Sequence, residues 1–395
     1  MTITLLLDLD DTLLETNMAT FFPAYLQALS AALSHLTPPE TMLPALMSGT
    51  KRMMENLDPA LTLREVFDAY FFKKLGMARD SLQATIDNFY DEVFPNLGSL
   101  TKARPEAIRL VDWAFEQGYR VAIATNPLFP LKAIQHRLRW AGLPPERYPF
   151  ALISSYERFH FTKESVAYFG EVMGQMGWPE DPVVMVGNDM DMDLRPAQQA
   201  GLPIFWVKNG DEISPEFDAI PQGRLEEFRN WLEGVDPQAL QPAYNSPQAL
   251  RALLRSTPAA LASLTRDLSA RAWSRAPKPD EWRLTEIIGH LRDVDRDVNL
   301  TRLRRVLAEQ NPFIVGEVTD VWVKERQYAR QDGRTSLVEF TTVRKELLAF
   351  LDGLQTEWNR PARHAIFGPT NLQELVGFIA EHDRAHVKQA LEAIR

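Results

Sequence analysis

The chain has 395 residues, 45% of them apolar, carries a formal charge of −10 and contains no cysteine. That length accommodates two or more cores, the acidic balance excludes a nucleic-acid partner held by bulk electrostatics, and the absence of cysteine excludes disulfides, thiolate nucleophiles and thiolate zinc sites. No apolar run approaches the ~20 residues of a membrane span and no basic segment or cleavage signal precedes the first apolar run, so the expectation is a cytoplasmic protein with no membrane partner.

The first element is Ile3 to Leu7, an apolar run of the kind that forms a strand buried on both faces. It ends in Asp8-Leu9-Asp10-Asp11-Thr12. The carboxyl end of a parallel strand is where open α/β sheets bind ligands. A carboxylate there can attack phosphorus while a second acid protonates the leaving group. The same residues are also good turn and cap chemistry, so the downstream chain must decide.

Residues 16 to about 95 carry helical periodicity, marked by Phe21, Phe22, Tyr25, Leu26, Leu29 and Leu33 and by later aromatic stripes. A helical block inserted after a sheet strand predicts a lid over that strand's carboxyl end, with the aromatic stripe forming its core. From Pro105 the pattern alternates. Helices are predicted over Glu106 to Gln117, Leu131 to Trp140, Lys163 to Val172 and Leu194 to Ala200. Strands are predicted over Val121 to Pro127, Phe150 to Ser155, Pro182 to Gly187 with a turn to Asp189, and Pro203 to Val207. Such alternation implies a parallel, doubly wound sheet with right-handed crossovers, and in that sheet the polar strand ends Asp8/Asp10, Thr125/Asn126 and Asp189 converge on one crevice.

Asp8, Asp10 and Asp189 are hard oxygen ligands suited to magnesium. Asp193 stands four residues after Asp189 and can orient metal waters or Lys163. Thr125 and Asn126 can hold phosphate oxygens, and Lys163 can neutralise charge on a transferring phosphoryl group. In this order the four segments resemble the haloacid dehalogenase-like hydrolases with a helical cap. Asp8-Leu-Asp10-Asp11-Thr12 is similar to the family's first motif, Ala124-Thr125-Asn126 to its second, Lys163 to its third and Gly187-Asn188-Asp189-Met-Asp-Met-Asp193 to its fourth. The resemblance implies that Asp8 is a nucleophile forming an aspartyl phosphate and Asp10 the general acid and base. It also implies magnesium among Asp8, the Asp10 carbonyl and Asp189. By the same resemblance Asp10 separates the phosphatases and phosphomutases, which have this second acid, from the dehalogenases, which lack it. Two positions depart from the pattern: Glu164 follows the lysine where proline is common, and Asn188 stands where many members have aspartate, leaving Asn188 and Asp189 as rival ligands.

Prolines 215, 221, 237, 242 and 247 punctuate the next stretch. A helix over Arg224 to Glu233 is expected to pack on the first domain through Phe228 and Trp231, and a linker to follow. The expected division is residues 1–235, a linker over 236–247, and 248–395, with the halves folding independently. Beyond the linker, helices near Gln248–Trp273, Leu284–Gln310, Ser336–Leu354 and Asn371–Ile394 suggest an antiparallel four-helix bundle. His382 and His386 share one helix face at i, i+4, and His290 lies mid-helix. Three facing imidazoles make an open site for zinc, nickel or iron; surface histidines are the alternative. Trp282-Arg-Leu-Thr-Glu-Ile-Ile-Gly-His290-Leu and Glu381-His382-Asp-Arg-Ala-His386 resemble the DinB/YfiT-like metal-binding bundles, as do Asn311-Pro-Phe313 and Arg363-His364-Ala-Ile-Phe367-Gly368. That resemblance implies a divalent transition metal on His290, His382 and His386.

The combined expectation is a magnesium-dependent phosphatase for a small phosphorylated substrate, joined to a metal-binding bundle. Two alternatives are a metal-dependent thiol transferase in the bundle with a regulatory first half, and a bundle serving only docking or homodimer formation.

Overall fold

The protein is described by a computed structural model covering residues 2–210, 213–216 and 218–395. Within the first compact unit, Thr4–Leu7 is the inner strand of a six-stranded, all-parallel sheet. In order across the sheet the strands are Leu152–Ile153, Arg120–Ile123, Thr4–Leu7, Val183–Gly187, Ile204–Val207 and Gln222–Gly223. Leu5, Leu6 and Leu7 have no exposed surface, as a strand covered on both faces requires, and each such side chain contributes roughly 1.5–3 kcal/mol of burial. The sheet follows the expected α/β alternation. The short edge strand Gln222–Gly223, too brief to alternate, lies in a stretch expected to be irregular.

The cap is all-helical, as expected, with helices Met18–Leu33, Pro39–Met54, Leu63–Leu75 and Arg79–Asn88. Two short antiparallel strands, Leu14–Thr16 and Thr101–Ala103, tie its entry to its exit. Phe21, Phe89 and Phe94 are fully buried and build its core. Helix Leu63–Leu75 opens with a reciprocal capping box between Thr62 and Glu65 and closes at Gly76, whose φ of 66° suits glycine.

The second unit contains four long helical stretches, Pro247–Thr265, Leu284–Ala308, Gly333–Asp352 and Leu372–Ile394. The second of these passes through a π-turn at Asp295–Asn299. A small sheet of Phe313–Ile314, Pro361–His364 and Gly368–Asn371 accompanies the bundle. Sequence periodicity missed it, because two- to four-residue strands carry no pattern.

The compact units do not divide at one point in the sequence. The first is Met1–Ser165, Glu180–Gln198 and Leu202–Pro242; the second is Val166–Pro179, Gln199–Gly201 and Ala243–Arg395. Helix Val166–Gln175, buried at every position from Ala167 to Gly174, therefore belongs with the bundle. Its Gly170 and Gly174 explain the close approach to helix Pro247–Thr265. A Cβ on Gly170 would stand 2.6 Å from Ser256 Oγ, and one on Gly174 would stand 2.7 Å from Ala260 Cβ.

Candidate functional sites

The strand Thr4–Leu7 hands the chain directly into the first site. Asp8 N–H continues the sheet by donating to Val186 C=O at 3.0 Å. The chain then turns sharply: Asp11 adopts φ 55°, a left-handed conformation that aspartate tolerates better than most residues, and its carboxylate accepts from Thr16 N–H at 2.9 Å. The turn brings Thr12 to the neighbouring strand end, where its hydroxyl donates to Asn188 Oδ1 at 3.1 Å.

Lys163 joins these ends. Its ammonium is buried, donates to Asp8 Oδ1 at 2.6 Å and also binds the carboxylate of Asp193. The sequence expectation began a helix at Lys163, but the helix starts at Val166 and Lys163 lies in the turn ahead of it. Its backbone N–H donates to Asn126 Oδ1 at 3.3 Å. Thr125 is buried, and Ser154 fixes its backbone by donating to its carbonyl at 2.6 Å. Burial, with Asp8 close by, pushes the Asp193 carboxyl well above the ordinary aspartate range, and Lys163 only partly offsets this.

Asp10 and Asp189 lie differently from their neighbours. The carboxylate of Asp10 pairs with the buried guanidinium of Arg137, which also faces the rings of Phe21 and Phe129 at 5.8 and 5.6 Å. Asp189 Oδ1 accepts from the N–H groups of Asp191 and Met192 at 2.8 and 2.9 Å, capping the turn that follows. Asp8, Asp189 and Asp193 do not converge as one set of ligand atoms within 4.8 Å. Asn188, the rival of Asp189, is the side chain facing Thr12. The donors around Asp8 nevertheless fit a hard cation: Asp8 and Asp193 carry two buried carboxylates against the single charge of Lys163, and Asn188 adds an amide oxygen.

Arg137 escaped the sequence reading, which placed Thr12 in the first motif and Ser154 in a strand without giving either a contact. Arg137 had a signal, since it shares the apolar stripe of Ala133, Ile134 and Leu138, all buried. Thr12 had its place in the first motif, and Ser154 none beyond its place at a strand end.

In the second unit, His290 comes from helix Leu284–Val294 and His382 and His386 from helix Leu372–Ile394. The i, i+4 spacing places the last two on one face. His382 Nε2 stands 3.0 Å from His290 Nε2 and 3.2 Å from His386 Nε2. Among the described residues these three form the one group of His, Cys, Asp or Glu whose ligand atoms lie within 4.8 Å of one another. Burial first holds His290 and His382 down to about 3, helped at His290 by the imidazoles of His386 and His382 and at His382 by His386 and the Arg344 guanidinium. Burial also lowers His386, against the opposing pull of Gln389 and Asp383. All three are therefore neutral near pH 7, the form that binds metal. Three neutral imidazole nitrogens this close, with at most one N–H to share among them, are a donor set that fits a transition-metal cation.

The surroundings orient this cluster. Trp282 stacks on His386 with ring centroids 5.6 Å apart, and Gln389 fixes His386 Nδ1 at 2.8 Å. Next to His382, Asp383 accepts both terminal nitrogens of the fully buried Arg344, at 2.5 and 3.0 Å, and Asp295 accepts its Nε at 2.6 Å. His382 also lines a pocket of about 810 Å³, counting its open mouth, shared with Arg302, His364 and Phe378. The backbone N–H of Ile366 donates to His364 Nδ1 at 3.2 Å, which leaves the other ring nitrogen to carry the proton.

Residues 4–201 match the family model of haloacid dehalogenase-like hydrolases, and residues 253–390 match that of the DinB superfamily. No curated protein matches the chain. Among solved structures, a HAD phosphatase from Thermococcus onnurineus is 17% identical, with 59% of this chain and 99% of that one covered and a TM-score of 0.40. The magnesium-bound HAD-hydrolase YfnB from Bacillus subtilis is 22% identical over 59% and 99%, with a TM-score of 0.37. YfiT from Bacillus subtilis, described as a probable metal-dependent hydrolase with an unusual four-helix bundle topology, is 17% identical over 49% and 95%, with a TM-score of 0.35. No helix among the described residues is long and apolar enough to cross a membrane. The chain belongs to the haloacid dehalogenase-like hydrolases, and its residues 253–390 are similar to the DinB superfamily.

Proposed function

We propose that the hydrolase half is a magnesium-dependent phosphatase that cleaves a small phosphomonoester through an aspartyl phosphate on Asp8. The observation that carries this reading is the buried Lys163 ammonium bridging Asp8 and Asp193 at the carboxyl end of the sheet. A charge held there can neutralise a phosphoryl group attached to Asp8 without reorganising. In the first half-reaction an Asp8 oxygen forms a bond to phosphorus as the bond to the leaving oxygen breaks, and Asp10 gives its proton to that oxygen. Asp10 is then a carboxylate, for which Arg137 is the counter-ion. In the second, Asp10 takes a proton from water as its oxygen attacks phosphorus, releasing phosphate and regenerating Asp8. Thr125 and Asn126 hold phosphoryl oxygens, and Asp193 positions Lys163. Asp8, the Asp10 carbonyl and Asn188 or Asp189 would hold magnesium, which supplies positive charge to the phosphoryl oxygens.

The test is turnover of phosphate esters by wild-type and Asp8→Asn proteins, with magnesium and with chelator. The reading expects activity in the first protein only, and only with the metal. Magnesium-independent turnover, or turnover surviving Asp8→Asn, would overturn it.

A second catalytic centre in the bundle is a separate proposal, favoured by one observation: His382 belongs both to the histidine cluster and to the wall of a cavity. The three imidazoles would hold zinc, nickel or iron(II), which would supply Lewis-acid chemistry beside that cavity. Elemental analysis of the purified wild-type and His382→Ala proteins tests the metal. A transition metal kept at full occupancy in His382→Ala after chelator dialysis would overturn the assignment.

A further inference from the structure

The phosphatase reading leaves unused an apolar cleft of the first unit. A cleft of about 850 Å³, counting its open mouth, lies under the cap helices and is walled by side chains such as Phe22, Leu29, Leu46, Met53, Phe67 and Ile86. Its floor is the loop Leu128–Pro130. That loop follows directly from the phosphate-handling residues, and Leu128 N–H donates to Asn126 C=O at 2.8 Å. Phe129 in the same floor packs against Arg137, the partner of Asp10. The cleft is thus lined by the loop that follows Asn126, and Phe129 in that lining touches the Arg137 that pairs with Asp10.

The polar groups in its lining are mostly engaged with one another. The hydroxyls of Tyr25 and Tyr90 bond each other at 3.1 Å. Arg79 pairs with Asp68 and hydrogen-bonds the Tyr156 hydroxyl, and its Nε donates to Gln83 at 3.0 Å. Thr50 contributes one further hydroxyl. A sugar or nucleoside entering the cleft would shed water from several hydroxyls and find few new partners, losing roughly tenfold in affinity for each one left unmatched. A hydrocarbon group would gain about fourfold for every CH₂ removed from water.

We infer that this cleft holds the leaving group of the substrate, and that the substrate is a phosphomonoester of an apolar alcohol, alkyl or aromatic, rather than a sugar or nucleotide phosphate. The inference rests on the phosphatase reading for its chemistry, and its test separates the two. The full-length protein with magnesium is assayed on acetyl phosphate, on alkyl phosphates from ethyl to octyl, on 1-naphthyl phosphate and on glucose 6-phosphate. Acetyl phosphate has a leaving group too small to fill the cleft and reports the Asp8 chemistry alone. kcat/KM is expected to rise by about fourfold per CH₂ over at least four steps, with glucose 6-phosphate below butyl phosphate. Leu46→Trp, which fills the cleft, should flatten the rise; should that variant not fold, Ile86→Phe makes the same comparison. Turnover of acetyl phosphate with a flat alkyl series, or a preference for glucose 6-phosphate, would overturn the cleft assignment and leave Asp8 chemistry standing. Absence of all phosphatase activity would count against the catalytic reading. Calorimetric binding of octylphosphonate and ethylphosphonate then decides the cleft alone: tighter binding of the longer chain supports it, and equal or absent binding overturns it.

Discussion

Acidification of the metal-free protein should weaken the bundle by an amount set by two imidazoles. In the folded chain His290 and His382 are held down to about 3 by burial, by neighbouring histidines and, for His382, by Arg344, whereas an unfolded chain returns them to about 6.5. The folded pKa is depressed, so the unfolded state binds more protons at low pH. The stability the neutral rings provide is complete above about 6.5 and is lost as pH falls from there toward 3. At pH 5, some 1.5 units below the unfolded value, each ring accounts for roughly 2 kcal/mol, and the pair for no more than about 4 kcal/mol. The pair falls short of a simple sum because each ring lies within reach of the other's charge. Hydrogen exchange of helix Leu284–Val294 in chelator-treated full-length protein, at pH 7.5 and 5.0 with intrinsic rates corrected, reads the local opening free energy. A His290→Leu/His382→Leu variant should lose most of the pH sensitivity. A change below about 1 kcal/mol in the wild type, or an equal change in the double variant, would refute the reasoning.

Three further outcomes follow from the same geometry. His382→Ala should remove most of the bundle's transition metal while changing turnover of a phosphate ester by less than about twofold, as measured by elemental analysis and initial rates, because the two metal sites use different ligand types. Asp10→Asn should slow loss of an alkoxide by about 10²–10⁴ but slow loss of 4-nitrophenolate far less in a single turnover; equal losses would remove Asp10 from the role of acid. Gly174→Ala should destabilise by about 1–3 kcal/mol in urea titration, despite alanine's helix propensity advantage of up to about 1 kcal/mol, because the added Cβ would meet Ala260 Cβ at 2.7 Å.

Much of the first domain was legible because each layer of the sequence agreed with the next. The apolar run before Asp8, the alternation from Pro105 and the polar strand ends all pointed to one crevice, and Asp8, Lys163 and Asp193 meet there. The histidine cluster was legible for a simpler reason: i, i+4 spacing fixes two imidazoles on one face before any tertiary contact is known. What stayed hidden depends on packing between distant segments. Arg137 resembles any charge on an amphipathic helix until its burial beside Asp10 is seen. The orientation of Asp189 is set by a local turn whose amides claim its oxygen, a competition that residue order does not reveal.

The assignment of helix Val166–Gln175 to the second unit was equally hidden. Its sequence place, just after Lys163, belongs to the α/β alternation, and its glycines read as weak helix formers. Yet they let helix Pro247–Thr265 approach within Cβ contact distance. We therefore expect a chain truncated after Pro242 to expose this helix face, which argues against the two halves separating cleanly at the proline-rich linker.

The most direct test of the central claim is chemical capture of the intermediate in Asp10→Asn, which lacks the base for its hydrolysis. The variant is mixed with 4-nitrophenyl phosphate and magnesium, quenched in acid, reduced with borohydride to convert an acyl phosphate to an alcohol, and mapped by peptide mass spectrometry. The account predicts a burst of nitrophenolate with homoserine at position 8. A burst with Asp8 unmodified, or with homoserine at another aspartate, would contradict it.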